Sequence, residues 1–390
     1  MGARVSNEMG KRNLSSDLVF VSALPPDKGR LSEYADAVLR EIEGSMNLTV
    51  EVFTDASAPS FGRILPRPIW RPNNALSVIK LWLAIIKSKT RLFHFNLHMA
   101  VFGRGRLPNL LGLLSPLIAR LSGKKVMVTL HNLPAAMKLE SIRLKTSILD
   151  RLGLWVAAFA IVKAAHVLVV TMKQYVELAK QKYGAKRVEW VPHGCWFTAE
   201  RPVWKWRNRG KVLFLGYIGP YKDLEALAKA MEIISEKRPV TLLVAGTPHP
   251  NFAREALEEV GRLKGCSFIR FLGRVPDREL PRLIEKVDLV VLPYKTSTGT
   301  SGVVHLLSAL GVPFVASDTP ELRELELEGA GILISGLEPK YLAEAILKVM
   351  EDKELAERLS ARSRRYAEER PWKEIAKRYV QMYGWLSASP

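Results

Sequence analysis

Residues 293–317, PYKTSTGTSGVVHLLSALGVPFVAS, carry the clearest chemical signal in the chain. A buried-strand pattern ends at Pro293, a loop of small residues runs from Thr296 to Gly302, and a helical stretch closes at Gly311 before the next strand. Small residues let backbone approach a ligand closely, and the open N–H groups of a helix start favour an anion. Ser301, Gly302 and Val303 are therefore candidates to cradle a phosphate group. An ordinary strand–loop–helix with a Ser/Thr cap is the alternative. In FLGYIGPYKDLEALAKA, residues 214–230, a strand ends in a Gly-containing turn and Lys222 stands at the next helix start. The helix dipole disfavours a cation there unless an anion is bound, although a solvated surface lysine also fits. In PPDKGRLSEY, residues 25–34, Gly29 precedes a helix start without the GxGxxG of a dinucleotide site, so a tight turn reads equally well. In VMVTLHNLP, residues 126–134, His131 ends a strand where a side chain can face a cleft; a structural histidine is the alternative.

These segments need a scaffold that presents strand ends to a common crevice. Short β-rich runs alternate with helical stretches throughout, the pattern of parallel sheets wound with helices. The first series of strands is expected at 18–23, 48–53, 92–96, 126–130, 167–171 and 188–191, with helices near 32–43, 76–89, 108–121, 141–163 and 173–182. RPVWKWRNRG, residues 201–210, has no periodicity and reads as a linker. A second series follows at 212–216, 241–246, 268–273, 289–293 and 313–317. The fold class is α/β, with two Rossmann-like domains around a cleft and a C-terminal helix that can return to the first domain. The expected division is a polar, flexible leader at 1–16, a first domain at 17–205, a second at 206–370 and the closing helix at 371–390. Ligands of such sheets bind beyond the carboxyl ends of the strands, where all four segments lie.

Composition narrows the partners. A chain of 390 residues with 48% apolar content is long enough for two cores. Its two cysteines, Cys195 and Cys266, lie far apart without CxxC or Cys/His clustering, which fits a reducing compartment and no structural zinc. Scarce glutamine (Gln174, Gln181, Gln381) beside abundant Lys, Arg and Glu hints at a thermophilic source. The leader lacks the apolar core of a signal peptide, and no run of some 20 uncharged apolar residues appears. The net charge of +19 is lopsided: residues 1–200 hold 28 Lys/Arg against 14 Asp/Glu, and residues 51–150 hold 15 against 4. Within 63–125 the basic residues alternate with Trp70, Trp82, Leu107, Leu110, Leu111, Leu113, Leu114 and Leu117. That mixture suits an anionic membrane surface, with a solvated basic face over core helices as the alternative. No nucleic-acid motif accompanies the charge. A cytoplasmic protein, peripheral on the inner face of the membrane, is the expectation.

The order of these pieces resembles glycosyltransferase family 4, retaining enzymes of the GT-B fold. VLFLGYIGPYK resembles the family's strand–Gly–turn–Lys segment, and SFIRFLGRVPDRELPRLIEKVDLVVLPY its F-x-G strand, short helix and D-x-x-x-x-P strand. VVTMKQY and VEWVPHG resemble the segments that close the first domain. The similarity is strong over 210–320 and collinear, though thinner, over 17–195. It implies a nucleotide-diphosphate sugar, with a GDP or UDP moiety, held mainly by the second domain, and a lipid-linked or glycan acceptor at the first. Lys222 would contact the diphosphate, Ser301–Val303 would cradle phosphate or sugar, and Arg274 with Val275 would lie by the base. Gly29 would border the donor from the opposite domain, and His131 would face the transferred hexose as the catalytic histidine. Front-face transfer with retention needs no protein nucleophile, no metal and no cofactor, and no DxD-type acidic cluster follows a strand.

The sequence departs from the family at two points. The paired glutamates, with seven residues between them, fall on Thr298 and Leu306; adjacent His305 is the candidate stand-in for ribose or sugar contacts. The arginine that accompanies the lysine is replaced by Tyr217, and Lys295 or Arg274 is the candidate compensation. Two other readings stand beside transfer. A sugar-nucleotide epimerase of the same fold would need an acid/base set, for which His131, His193, His305 and Glu321 look scattered. A non-catalytic nucleotide-sugar-binding or membrane-surface protein would suit the missing glutamates.

Overall fold

The computed structural model describes residues 16–25, 30–45, 47–103, 105–136, 147–196, 203–249, 252–296, 299–323 and 330–388. Gly29 and Thr298 lie outside them, as does the expected leader up to residue 15. Strands such as LVFV and VLVV are buried at every position, as expected where helices cover both faces of a parallel sheet. The first domain runs β1 (Leu18–Val21), α1 (Arg30–Ser45), β2 (Val50–Thr54), β3 (Ile64–Pro68), α2 (Ala75–Lys87), β4 (Leu92–Leu97), α3 (Arg106–Leu113) and α4 (Ser115–Leu121). It continues with β5 (Lys125–Leu130), α5 (Ile148–Ala164), β6 (Val167–Val170), α6 (Gln174–Tyr183) and β7 (Val188–Trp190). Its strands form one parallel sheet in the order β3-β2-β1-β4-β5-β6-β7.

The second domain runs β8 (Lys211–Leu215), α7 (Leu224–Ser235), β9 (Thr241–Ala245), α8 (Ala253–Leu263), β10 (Ile269–Gly273), α9 (Leu280–Ile284) and β11 (Leu289–Leu292). It continues with α10 (Gly302–Leu307), β12 (Phe314–Ser317), β13 (Gly331–Ile334), α11 (Pro339–Glu351) and α12 (Lys353–Glu368). Its parallel sheet has the order β10-β9-β8-β11-β12-β13. In both sheets the order steps outward from the first strand and then reverses. The reversals fall between β1 and β4 and between β8 and β11, where a crevice opens at the carboxyl ends. The fold is the expected pair of doubly wound α/β domains.

The last helix, α13 (Trp372–Ala388), returns to the first domain. It buries Ile375, Tyr379, Tyr383 and Leu386 in the core that α1 covers, whereas α2 to α6 cover the opposite face of the same sheet. Buried hydroxyls make this seam specific. Tyr379 Oη bonds Tyr34 Oη at 2.7 Å and Thr129 Oγ1 at 3.0 Å, while Tyr383 Oη meets His94 Nδ1 at 2.6 Å.

Several elements differ from expectation. β3, which contains Pro66 and Pro68, is absent from the expected strands; it forms an edge strand, where prolines leave no ladder bond unmade. β13, four residues at the opposite edge, was also missed. The helix expected at 108–121 divides at Leu114, with Pro116 in the first turn of α4 where its missing N–H costs nothing. Of the helix expected at 141–163, residues 141–146 lie outside the described residues, and α5 starts under a Ser147–Asp150 capping box. The described part of the expected linker is clasped to the second domain. Trp204 is buried with Nε1 donating to Val287 O and Asp288 O, and the Asp288 carboxylate accepts from Arg209 N and Lys211 N.

The apolar residues singled out within 63–125 divide between core and surface. Trp70 and Leu113 are buried, Trp82, Leu110, Leu111, Leu114 and Leu117 are half-buried, and Leu107 is exposed. Among the described residues no helix is long and apolar enough to cross a membrane.

Candidate functional site

The reversal between β8 and β11 brings together the two segments that carry the anion signal. Backbone bonds zip the loops after these strands to each other: Asp223 N donates to Pro293 O, Lys295 N donates to Tyr221 O, and Lys222 forms a bridge with Tyr294. Lys222 is thereby drawn inward and is 5% exposed. Its ammonium stands over the rings of Tyr294 (5.0 Å), Phe214 (5.1 Å) and Tyr221 (5.7 Å). Among the described residues no carboxylate pairs with it. Ring faces attract a cation but do not replace its lost hydration, and burial pulls its pKa from 10.5 down to about 7. An anion seated beside it would restore the charged form.

The space beside Lys222 is shaped by glycine. Gly216 follows β8 with φ +113°, and a Cβ there would stand 2.8 Å from Lys222 Nζ and 3.4 Å from Val303 Cγ2. Lys222 and the start of α10 therefore flank one gap that a side chain at 216 would fill. Gly246, at the end of β9, is held against Gly216 O so closely that no side chain fits. Across the gap Ser301 precedes α10, with Oγ 3.2 Å from Tyr294 Oη and no side-chain bond to its own helix. The first amides of α10, at Gly302 and Val303, have no acceptor within the helix, as at any helix start.

From the first domain His131, directly after β5, meets the loop that leads into α10. Its Nε2 lies 2.7 Å from Asn96 Oδ1, and Asn96 Nδ2 donates in turn to Ser22 Oγ and Leu31 O. Because Asn96 presents its carbonyl oxygen, His131 must carry its proton on Nε2 and its lone pair on Nδ1. Burial, then His193, His98 and His94, hold its pKa well below 6.5, so the ring is neutral at pH 7. The domains touch here: a Cβ on Gly299 would stand 2.7 Å from His131 O.

Tyr34 meets His131 and His193 edge-on at 4.6 and 5.0 Å, and His193 stacks on His305 at 4.5 Å. The three histidines that look scattered in sequence thus share one seam. His305 is buried with both ring nitrogens engaged, Nε2 to Thr300 Oγ1 at 2.6 Å and Nδ1 to Cys195 Sγ at 3.7 Å. Burial, then His193 and Arg370, keep it neutral. The two chain crossings run side by side at this seam, Cys195 N donating to Arg370 O, and the Trp372 ring fills the place a side chain at Gly194 would need.

The remaining candidates divide. Lys295 pairs with Asp223 at 3.1 Å, so its charge is already matched. Arg274 is exposed and Val275 half-buried beyond β10, two strands from β8. Tyr217 lies edge-on to His249 at 5.2 Å, and that ring also meets Phe252 at 5.3 Å and Tyr221 at 5.6 Å, an aromatic rim at the ends of β8 and β9. Leu306 is buried in the core. Asn96, Tyr34, Gly216, Gly246 and Gly299 did not stand out in the sequence. A glycine directly after an apolar strand was the available signal for Gly216 and Gly246, and a polar residue within the last two positions of an apolar strand that for Asn96.

The family model Glycosyl transferases group 1 matches residues 209–352, which contain Lys222, Arg274 and α10. D-inositol 3-phosphate glycosyltransferase of Corynebacterium urealyticum is 28% identical over 180 residues, 44% of this chain and 41% of that protein. The aligned part thus spans less than half of that relative. Sucrose-phosphate synthase from Thermosynechococcus elongatus superposes with a TM-score of 0.73 at 18% identity, covering 96% of this chain and 99% of that one. Anabaena Alr3699/HepE, solved in complex with UDP and glucose, gives 0.71 at 17% identity, covering 96% and 100%. At those identities the likeness establishes the fold. The second domain is thus similar to the group 1 glycosyltransferases, and the whole chain has the GT-B fold.

Proposed function

We propose that this protein transfers a hexosyl group from a nucleotide-diphosphate sugar, with retention, to a lipid-linked or glycan acceptor. The observation that carries the reading is Lys222, a buried ammonium that has no carboxylate partner among the described residues and stands beside the gap at Gly216 and Val303. A diphosphate there would meet the Lys222 charge on one side and the amides of Ser301, Gly302 and Val303 on the other. That pairing is suited to stabilising charge on a departing nucleoside diphosphate without metal or cofactor. The inositol phosphate glycosyltransferase match supports transfer, and the UDP in the HepE structure supports a nucleoside-diphosphate donor.

His131 would contribute position and polarity. A neutral ring with a fixed tautomer can accept a hydrogen bond from a sugar hydroxyl but does not protonate a leaving group at pH 7. With the glutamate positions occupied by Thr298 and Leu306, His305 braces the α10 loop through Thr300. The rim of Tyr217, Tyr221 and His249 offers flat surfaces near the base, with Arg274 and Val275 at the far edge. Epimerisation would need free acid and base groups, and both His305 nitrogens are already engaged.

The test is incubation with a panel of UDP- and GDP-sugars. Donor-dependent stabilisation with slow release of free sugar and nucleoside diphosphate is the expected result. An isomerised nucleotide sugar would establish epimerisation instead. Absence of stabilisation by every nucleotide would end the donor-site reading.

A further inference from the structure

The outward face of α5 is apolar where a surface helix is ordinarily polar. Ile148, Leu149, Leu152, Trp155, Val156 and Phe159 are 38–85% exposed. Their spacing of three and four residues puts them on one stripe about 17 Å long. The opposite side of the same helix, including Ala157, Ala158 and Ile161, is core, so α5 is apolar all round. The neighbouring helices continue the pattern: α3 and α4 lie between α2 and α5 in one layer, and α2 exposes Leu76, Ile79, Leu83 and Ile86. An exposed apolar stripe such as that of α5 marks an interaction site.

Charge selects the occupant. Across α2, α3, α4 and α5 the only acidic residue is Asp150, which is held by Arg106 and by its role at the α5 start. The same four helices carry Lys80, Lys87, Arg106, Arg120, Arg151 and Lys163. At the end of the stripe the Trp155 and Phe159 rings stack at 5.3 Å and Lys163 Nζ stands 5.2 Å from the Phe159 ring, the aromatic-plus-cation arrangement suited to a lipid–water boundary. α1, on the opposite face of the domain, carries Glu33, Asp36, Glu41 and Glu43. Two copies meeting through the basic face would repel each other, whereas an anionic lipid surface is complementary to it.

We propose that the α5 stripe, flanked by the basic surface of α2 and α4, seats the first domain on an anionic bilayer without crossing it. This assignment is independent of the donor site. It keeps the basic residues of α2 and α4, which lie within 63–125, and adds the apolar stripe of α5, which the sequence did not single out.

The experiment is co-sedimentation of the full chain with phosphatidylcholine vesicles, with and without roughly one third phosphatidylglycerol, at low salt and near 0.15 M salt. The expected result is strong preference for the anionic vesicles, weakened by salt, and at least a tenfold loss of binding in the double variant Trp155→Glu, Phe159→Glu with unchanged melting temperature. If that variant is destabilised, Ile148→Gln with Leu152→Gln gives the same reading from the other end of the stripe. Equal association with both vesicle types, binding by the variants like that of the parent, or a concentration-dependent dimer abolished by them would each overturn the proposal. Donor-induced stabilisation measured without vesicles is expected to be the same in these variants, so failure of one assignment leaves the other standing.

Discussion

Lys222 combines burial, a ring cage and a depressed pKa near 7, and a measurable linkage follows. Donor binding needs the ammonium charged, and the free protein loses that charge as pH rises through about 7. Affinity for a nucleoside diphosphate should then fall up to about tenfold per pH unit above that point, with proton uptake on binding. Calorimetry in buffers of different ionisation enthalpy measures both, and pH-independent affinity between 7 and 9 would place the phosphates elsewhere. Lys222→Ala should cost about 1–3 kcal/mol of donor affinity and remove the pH dependence. Gly216→Ala should do comparable damage by filling the gap, while His131→Ala should lower the transfer rate more than donor affinity. Steady-state kinetics beside direct binding separates these cases. Lys222 was legible in sequence because it sat where the helix dipole disfavours it. Gly216 was not, because its need for a bare Cα arises from Lys222 and Val303 arriving from other elements.

At the scale of elements, the readable parts were those set by local pattern. Strands buried on both faces spell continuous apolar runs, and the loop before α10 spells small residues, so both could be placed from the sequence. α5 shows the limit of that logic. An apolar helix without a polar face reads as interior, yet half of it faces outward, and only the packed neighbours reveal which half. The seam between α1, β5 and α13 was equally hidden, since Tyr34 and Tyr379 are 345 residues apart. Tyr379→Phe removes a hydroxyl bonded to both Tyr34 and Thr129, leaving buried oxygens short of a partner. A loss of about 1–3 kcal/mol is expected in urea unfolding, with the donor site itself intact. Nucleotide affinity unchanged in the same variant checks the second half of that statement.

For the molecule as a whole, titration should follow its buried histidines. Burial, as the first cause in each case, lowers His94 to about 3 and His98 and His166 to about 4, and lowers His131 and His305 below 6.5. Each is neutral when folded, whereas the unfolded chain takes a proton near 6.5. The stability they contribute is complete above that pH and is lost as pH falls from about 6.5 towards 4. Melting temperature should therefore be flat from pH 7 upward as far as these groups are concerned and drop by several degrees by about pH 5. Because His131 and His305 line the seam between domains, hydrogen exchange should rise there first on acidification. Whole-chain charge counts gave the lopsidedness but not its geometry, which required knowing that α2 to α5 share one face and α1 with α13 the other.

The return of α13 also bears on how the chain is made. The first sheet is complete once β7 has emerged from the ribosome, but the part of one face that α1 leaves uncovered waits for a helix encoded roughly 180 codons later, an interval of about 10–40 s at ordinary elongation rates. Throughout that time the patch meant for Tyr379, Tyr383 and Leu386 is bare, while the whole second domain is being synthesised and can fold. Maturation of the older domain is thereby deferred until the younger one has been threaded past it. Nascent chains stalled anywhere between the two domains should be the species that holdase chaperones retain.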